Sequence, residues 1–245
     1  MNLQFIKFDI NVLTKKLLED LKASGYFEYV EKVAVRKIIA MPNDTHYGSQ
    51  WALAQIKAQE AWVENPGGAK CVVAVVDNAI NTAHPDLAAN SIAGFDMADN
   101  DTDTNPINDT FSHGTHVAGI VGAVTNNGLG VAAASNNKIS VMPVKATSDL
   151  SDPDYIDYGF EGIVWAVDHG AKIINMSWGG TDYLNTEQAV CDYAYSNGVM
   201  LVAAAGNDAN EDFSYPASYN HVISVASTDS TDKKSSYSSF NGKVD

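Results

Sequence analysis

The chain has 245 residues, 45% of them hydrophobic, and carries 30 acidic against 15 basic side chains for a formal net charge of −15. That length supports one sizeable core, or one domain with a small appendage. A surface this acidic repels nucleic acid and anionic membrane and excludes both as partners, while it suits divalent cations and solubility at high salt.

Residues 1–20 mix charges into their apolar positions and contain neither a signal-peptide apolar core nor a small-residue cleavage site. No stretch is long and apolar enough to span a membrane. As it stands, the sequence reads as soluble and without an export address. Residues 3–8 alternate weakly and predict a strand. Leu13, Leu17, Leu18 and Leu21 fall at helical spacing over 11–24, with Gly25 as the stop. The aromatic and β-branched run 26–39 predicts a second strand. A β-α-β piece of about forty residues is too small to bury a core of its own. The break at "MPNDTHYGSQ" places a boundary near residue 42.

From residue 70 apolar strands alternate with helices. "KCVVAVVD" (70–77) is a continuous apolar run, as in a strand buried on both faces. The stretch 96–110 is an acidic loop, too polar for a core. Residues 114–124 predict a helix with Val117, Ile120, Val121 and Val124 on one face. "KISVMPVKA" is a strand, "YGFEGIVWAVDHG" a helix closed by Gly170, and "AKIINMSWGG" a strand running into a glycine turn. "NTEQAVCDYAYSNG" is a helix closed by Gly198, and "VMLVAAAGN" and "HVISVAST" are further buried strands. Two cysteines are too few for a zinc knuckle or a disulfide framework, so Cys71 and Cys191 read as buried structural thiols. The pattern predicts an α/β domain with a mostly parallel sheet and helices on both faces. Ligands then sit beyond the carboxyl ends of the strands, where Asp77, Ser177-Trp178-Gly179 and Asn207 stand.

"FSHGTHVAG" (111–119) holds two histidines three residues apart. A helical zinc pair prefers a spacing of four with a glutamate between, and it needs a third ligand. His113 therefore reads as a base, kept neutral by the helix start. His116, one turn in, reads as a hydrogen-bonded structural residue. A base needs an orienting carboxylate, which Asp77 at a strand end can supply. Asn207, after "AAAG", can offer an amide N–H to an oxyanion. "SWGG" offers backbone groups to an extended peptide.

Together, "VAVVDNAI", "HPDL", "HGTHVAG", "NMSWGG", "VAAAGND" and "YPASYNHVISVAST" resemble the subtilisin-like serine proteases, from about residue 43 to Asp245. The order Asp, His, Ser is that of subtilisins themselves. The resemblance implies serine endopeptidase chemistry through an acyl-enzyme on a monomer, with peptide or protein as substrate. Asp77 would orient His113, His113 would act as general base and then acid, and Asn207 would be the oxyanion donor. Ser177, Trp178 and Gly179, with Ala204, Ala205 and Gly206, would line the substrate groove. It also implies structural calcium: one site from Asp44, Asp86 and Asn127 with carbonyls of the 124–131 loop, and a second from Asp96, Asp101 and Asp103, hard oxygen ligands that suit Ca²⁺. Residues 1–42 resemble part of a propeptide and its linker, which inhibits and assists folding of the 43–245 domain. The family is mostly exported.

Two departures stand out. Asn78-Ala79 replaces the usual hydroxyl residue and glycine after the aspartate, and Ala79 would tolerate a left-handed backbone poorly. The family's Gly-Thr-Ser-Met-Ala nucleophile segment is not found. Gly48-Ser49 has no helix after it, and serines 235, 236, 238 and 239 lie in a polar, surface-like run. The 245 residues are thus expected to lack the catalytic serine and to be inactive alone. A helix absent after Asp245 that buried roughly 500 Å² would cost about 12 kcal/mol, as much as a whole domain's stability of about 5–15 kcal/mol. The alternative function is a non-catalytic protein that holds peptides in the same groove. A zinc hydrolase is a third.

Overall fold

The computed structural model describes residues 15–30, 41–64 and 68–245. The chain divides into two units, residues 1–38 and 39–245. In the first, helix α1 (Lys15–Ala23) is followed by Gly25 at φ +71°, matching the leucine spacing and its stop. Residues 26–30 form no strand; the other strand predictions in this unit, 3–8 and 31–39, lie outside the described residues.

In the second unit, α2 (Trp51–Gln55) and α3 (Ala58–Glu64) precede the sheet. A 3-10 turn at Tyr47–Ser49 leads into α2, so a helix does follow Gly48-Ser49. The strands are β1 (Cys71–Asp77), β2 (Phe95–Asp96), β3 (Ile139–Lys145), β4 (Ile173–Met176), β5 (Met200–Ala204) and β6 (Val222–Val225). They form one sheet in the order β2-β3-β1-β4-β5-β6, with every neighbouring pair parallel. The crossovers carry α4 (His113–Gly122), α5 (Gly159–Asp168) and α6 (Asn185–Ser196). The α/β class with a parallel sheet is the predicted one; the two-residue β2, inside the acidic loop, and the short helices α2 and α3 are unforeseen.

Strand β1 shows why its sequence is apolar without interruption. Side chains alternate across a strand. Val73 and Val75 meet Val117 and Ala118 of α4, whereas Ala74 and Val76 meet the layer that holds Ile163 and Ala166 of α5 and Cys191 and Ala194 of α6. Both faces are covered, so both parities must be apolar. Asp77 continues the parity of Val73 and Val75 and so turns to the α4 face. Cys71 is half-buried and Cys191 fully buried, both as free thiols. Burial, with Asp192 and Glu187 nearby, pushes the Cys191 thiol up to about 12.

The buried stripe of α4 differs from the predicted one. It consists of Gly114, Val117, Ala118 and Gly122, while Ile120 is exposed and Val124 lies past the helix end. Small residues carry the contact because the helix lies very close to the sheet. A Cβ at Gly122 would stand 2.3 Å from Val141 Cγ2.

The acidic loop contributes to the interior after all. Asp96 is buried and pairs with Lys145, whose side chain is 2% exposed, at 2.7 Å. Asp149 completes the grip at 2.5 Å, and Asp99 stands 3.6 Å away. Burial alone would lower the Lys145 ammonium, but its bonds to Asp149 and Asp96 outweigh this and hold it above the ordinary lysine value. Lys145→Met would leave Asp96 buried without its cation. The expected loss is about 3–5 kcal/mol of stability, read from the denaturant midpoint. A loss below about 1 kcal/mol would mean that the cluster behaves as a solvated surface pair.

Candidate active site

In a parallel sheet all carboxyl ends share one edge. Here Asp77 closes β1, Ser177 follows β4 next to it, and Asn207 lies three residues past β5. Helix α4 starts at the same edge with His113.

Asp77 is fully buried. Its Oδ1 accepts the His113 Nδ1–H at 2.7 Å and the Asn78 N–H at 2.8 Å, and its Oδ2 has no donor among the described residues. A buried carboxylate with so few donors leans on the imidazole for compensation. His113 has 55% of its side chain exposed, so the ring is held at one nitrogen and open at the other. Gly114 makes the approach possible: a Cβ there would stand 2.4 Å from the Ala79 carbonyl and 2.8 Å from Asp77 Cβ.

Helix-start polarity alone favours a neutral ring. The hydrogen bond to Asp77 raises the pKa, burial opposes it, and the charges of Asp77 and Asp154 raise it further, leaving His113 above 6.5. A formal charge at hydrogen-bond distance outweighs the partial charge of a helix end. His116 is exposed, one turn along the same helix.

The Asn78-Ala79 departure is accommodated without strain. Ala79 is fully buried and is not among the residues with positive φ, so no left-handed backbone is required of it. Asn78 Oδ1 accepts the Ala79 N–H at 2.7 Å and the Gly114 N–H at 3.0 Å.

A cleft of about 540 Å³ opens against the dyad. Asp77, Asn78, His113, Ser177, Trp178 and Gly179 line it. Trp178 is half-buried: its Nε1 donates to the Val76 carbonyl at 2.8 Å, and its ring meets Phe160 edge-on at 5.5 Å. Gly180 is bonded to Tyr215 through both backbone groups, so that part of "SWGG" is already paired. Ala204, Ala205 and Gly206 do not line this cleft. Ala205 is buried and gives its N–H to Val225, Ala204 is exposed, and Gly206 has φ +109°. Asn207 is exposed beside them.

The opposite wall, Pro153, Asp154, Tyr155 and Ile156, was missed. Its signal was available: it lies in the loop after the carboxyl end of β3, the edge where ligands gather. The serine run was misjudged as surface. Ser235, Ser238 and Ser239 are buried, and only Ser236 is exposed. Ser239 gives its N–H to the Gly206 carbonyl and accepts the Asp208 N–H, so it brackets Asn207.

Of the metal sets, Asp86 and Asn127 meet at 2.7 Å, and Asp44 accepts the N–H groups of Asn126 and Asn127. Asp101 and Asp103 bond to neighbours in their own loop, while Asp96 is taken by Lys145. Among the described residues no group of three or more His, Cys, Asp or Glu could hold a metal.

A family model described as "Subtilase family" matches residues 68–245. Thermitase of Thermoactinomyces vulgaris is 41% identical over 206 residues, 83% of this chain and 71% of thermitase. The halolysin-like extracellular serine protease Nep of Natrialba magadii is 40% identical over 223 residues, 89% of this chain but only 41% of that protein. Among solved structures, proteases from Pseudoalteromonas arctica superpose with a TM-score of 0.73 at 32% identity, covering 84% of this chain and 71% of theirs.

The dyad carries a pH signature. The protonated His113–Asp77 pair stabilises the fold fully below about 6.5, and this contribution is lost as pH rises through the raised folded value. NMR titration of His113 should give a midpoint above 6.5, and Asp77→Asn should bring it back to 6.5 or lower. An unchanged midpoint would remove Asp77 as its partner.

Proposed function

The chain belongs to the subtilase family, and from that premise we propose that it serves serine-type endopeptidase chemistry, supplying the base, its orienting carboxylate, the oxyanion donor and one peptide groove. The observation that carries this reading is the 2.7 Å bond between buried Asp77 and His113 at the mouth of the cleft. In the acylation step a serine hydroxyl forms a bond to the scissile carbonyl carbon and passes its proton to His113 Nε2. Asp77 holds the Nδ1–H and stabilises the imidazolium. The Asn207 amide donates to the oxyanion, a contact worth about 10²–10³ in rate in subtilisin itself. The C–N bond then breaks as His113 returns the proton to the leaving amine, and water repeats the sequence on the acyl group. Because this base works deprotonated, activity should rise with pH through the raised pKa of His113.

No serine hydroxyl among the described residues is bonded to His113; its ring bonds to Asp77. In this reading the nucleophile is a serine outside these 245 residues, and the 245-residue chain binds peptide without cleaving it. Residues 1–42 act as a propeptide-like partner, and the protein works as a secreted monomer. The extracellular designation of the halolysin-like relative supports export, and no helix among the described residues is long and apolar enough to cross a membrane. A serine-directed fluorophosphonate is expected to label the native gene product and to leave the 245-residue chain unlabelled. An unlabelled gene product would transfer the reading to a non-catalytic peptide binder, which the same groove would serve.

Calcium fits one of the two residue sets. Asp44 and Asp86 are 5% and 3% exposed, and both accept neutral N–H donors of the 126–131 loop. Asp44, Asp86 and Asn127 would hold the ion, which would supply the missing positive charge and fasten the loop. In the acidic-loop set Asp96 already has the Lys145 ammonium as its cation. Removal of calcium with EGTA should lower the melting temperature, since a ligand at a hundredfold excess over its Kd stabilises by about 2.7 kcal/mol. In Asp86→Asn the calcium-dependent part of that shift should vanish. An EGTA-insensitive melt of the wild type would remove the ion.

A further inference from the structure

Helix α4 lacks a cap of its own. Ser112 at its N-cap sits in the αR region and makes no side-chain cap bond. First-turn N–H groups have no partner inside the helix and need one elsewhere. The Gly114 N–H finds it in Asn78 Oδ1, 36 residues upstream and 3.0 Å away. The same oxygen takes the Ala79 N–H at 2.7 Å. The amide end of Asn78 points the other way: Nδ2 donates to the Pro153 carbonyl at 3.0 Å. Pro153 belongs to the wall of the cleft. That wall is anchored at its other end by the Thr147 hydroxyl on the Tyr155 carbonyl at 2.6 Å and by the Lys145–Asp149 pair.

We propose that Asn78 is a positioning residue that caps the helix of the base and, with its opposite end, tethers the Pro153–Ile156 wall of the peptide cleft to the dyad. The assignment of the cleft to peptide rests on the endopeptidase reading; the tether does not. One side chain bonds to three segments: the turn after Asp77, the helix that starts with His113, and the loop that faces substrate. An amide is suited to this because it accepts at one end and donates at the other. Serine keeps a short acceptor near the helix but lacks the reach of Nδ2. Alanine removes both functions.

N78S and N78A separate the two ends. Three readouts on the 245-residue chain suffice: hydrogen exchange, the His113 midpoint by NMR, and affinity for acetyl-Ala-Ala-Pro-Phe carboxylate. In N78S the segment 150–158 should exchange about tenfold faster and the peptide should bind about fivefold more weakly, the scale of one lost hydrogen bond. The start of α4 and the His113 midpoint should stay as in the wild type. In N78A the helix start should also exchange faster and the His113 midpoint should move. Unchanged exchange over 150–158 in both variants would overturn the tether. A change spread evenly over the domain would make Asn78 an ordinary packing residue and overturn it as well. If the wild type binds no peptide but N78S still loosens 150–158 selectively, the tether stands and the peptide reading of the cleft fails.

Discussion

Everything at the site follows from placing a carboxylate at 0% exposure on the end of β1. Burial of an ionised group is costly unless donors surround it. Among the described residues Asp77 has two, both on Oδ1: the Asn78 N–H and the His113 Nδ1–H. Of these two the imidazole is the partner that can answer with a full charge. This explains the raised pKa, and it fixes which nitrogen faces the cleft: with Nδ1 committed to Asp77, Nε2 is left for chemistry. Tautomer, orientation and basicity are three consequences of one buried oxygen.

That arrangement demands a close approach of helix to strand, and the sequence around α4 is arranged to allow it. Gly114 lets the first turn lie against Asp77 and the Ala79 carbonyl, and Gly122 lets the last turn lie against Val141. The helix is therefore pinned at both ends with little apolar bulk between, so its position depends on the sheet rather than on its own amphipathicity. The sheet supplies the rest. With β1 between β3 and β4, the dyad stands between the loop after β3, which walls the cleft, and the turn after β4, which carries Trp178. Asn207 follows from the next strand outward.

The sequence showed most clearly what rests on periodicity and turn chemistry. The continuous apolar runs of β1 and β3 became strands covered on both faces, whereas β5 and β6 alternate buried with more exposed residues, and Gly170 and Gly198 closed α5 and α6 with positive φ. Asp77 and His113 were legible as a pair because one ends a buried strand and the other starts a small-residue helix. Contacts made by residues of low hydrophobicity were not legible. The glycine and alanine part of the α4 face carries no apolar signal, so of the predicted stripe Val117, Ile120, Val121 and Val124 only Val117 belongs to the buried one. Serines 235, 238 and 239 looked solvated, yet they are buried because nearby backbone groups and hydroxyls satisfy them, as with the Ser227 N–H on Ser238 Oγ at 2.9 Å. The short helices over 51–64 offer too few turns for a periodicity to register. Asn78 was read as a local substitute for a hydroxyl; its long-range partners at 114 and 153 depend on topology.

The two groups of buried aspartates show how composition alone misleads. Asp96 sits in an acidic stretch, whereas Asp44 and Asp86 are each the single acid of their segment; both sets invite a cation, but the fold answers them differently. Around Asp96 the cation is already part of the chain: the Lys145 ammonium, itself nearly inaccessible, sits among three carboxylates, and another ion would compete with a covalently tethered charge. Around Asp44 and Asp86 the donors are backbone N–H groups and one side-chain amide, all neutral. Neutral donors satisfy lone pairs but do not cancel two charges in a low-dielectric setting. In the calcium reading proposed above, the counter-charge comes from solution, and oxygen-rich surroundings suit a hard divalent ion. In a chain of net charge −15, the number of acidic residues is thus a poor guide to metal binding. What discriminates is whether the buried carboxylates have a lysine of their own.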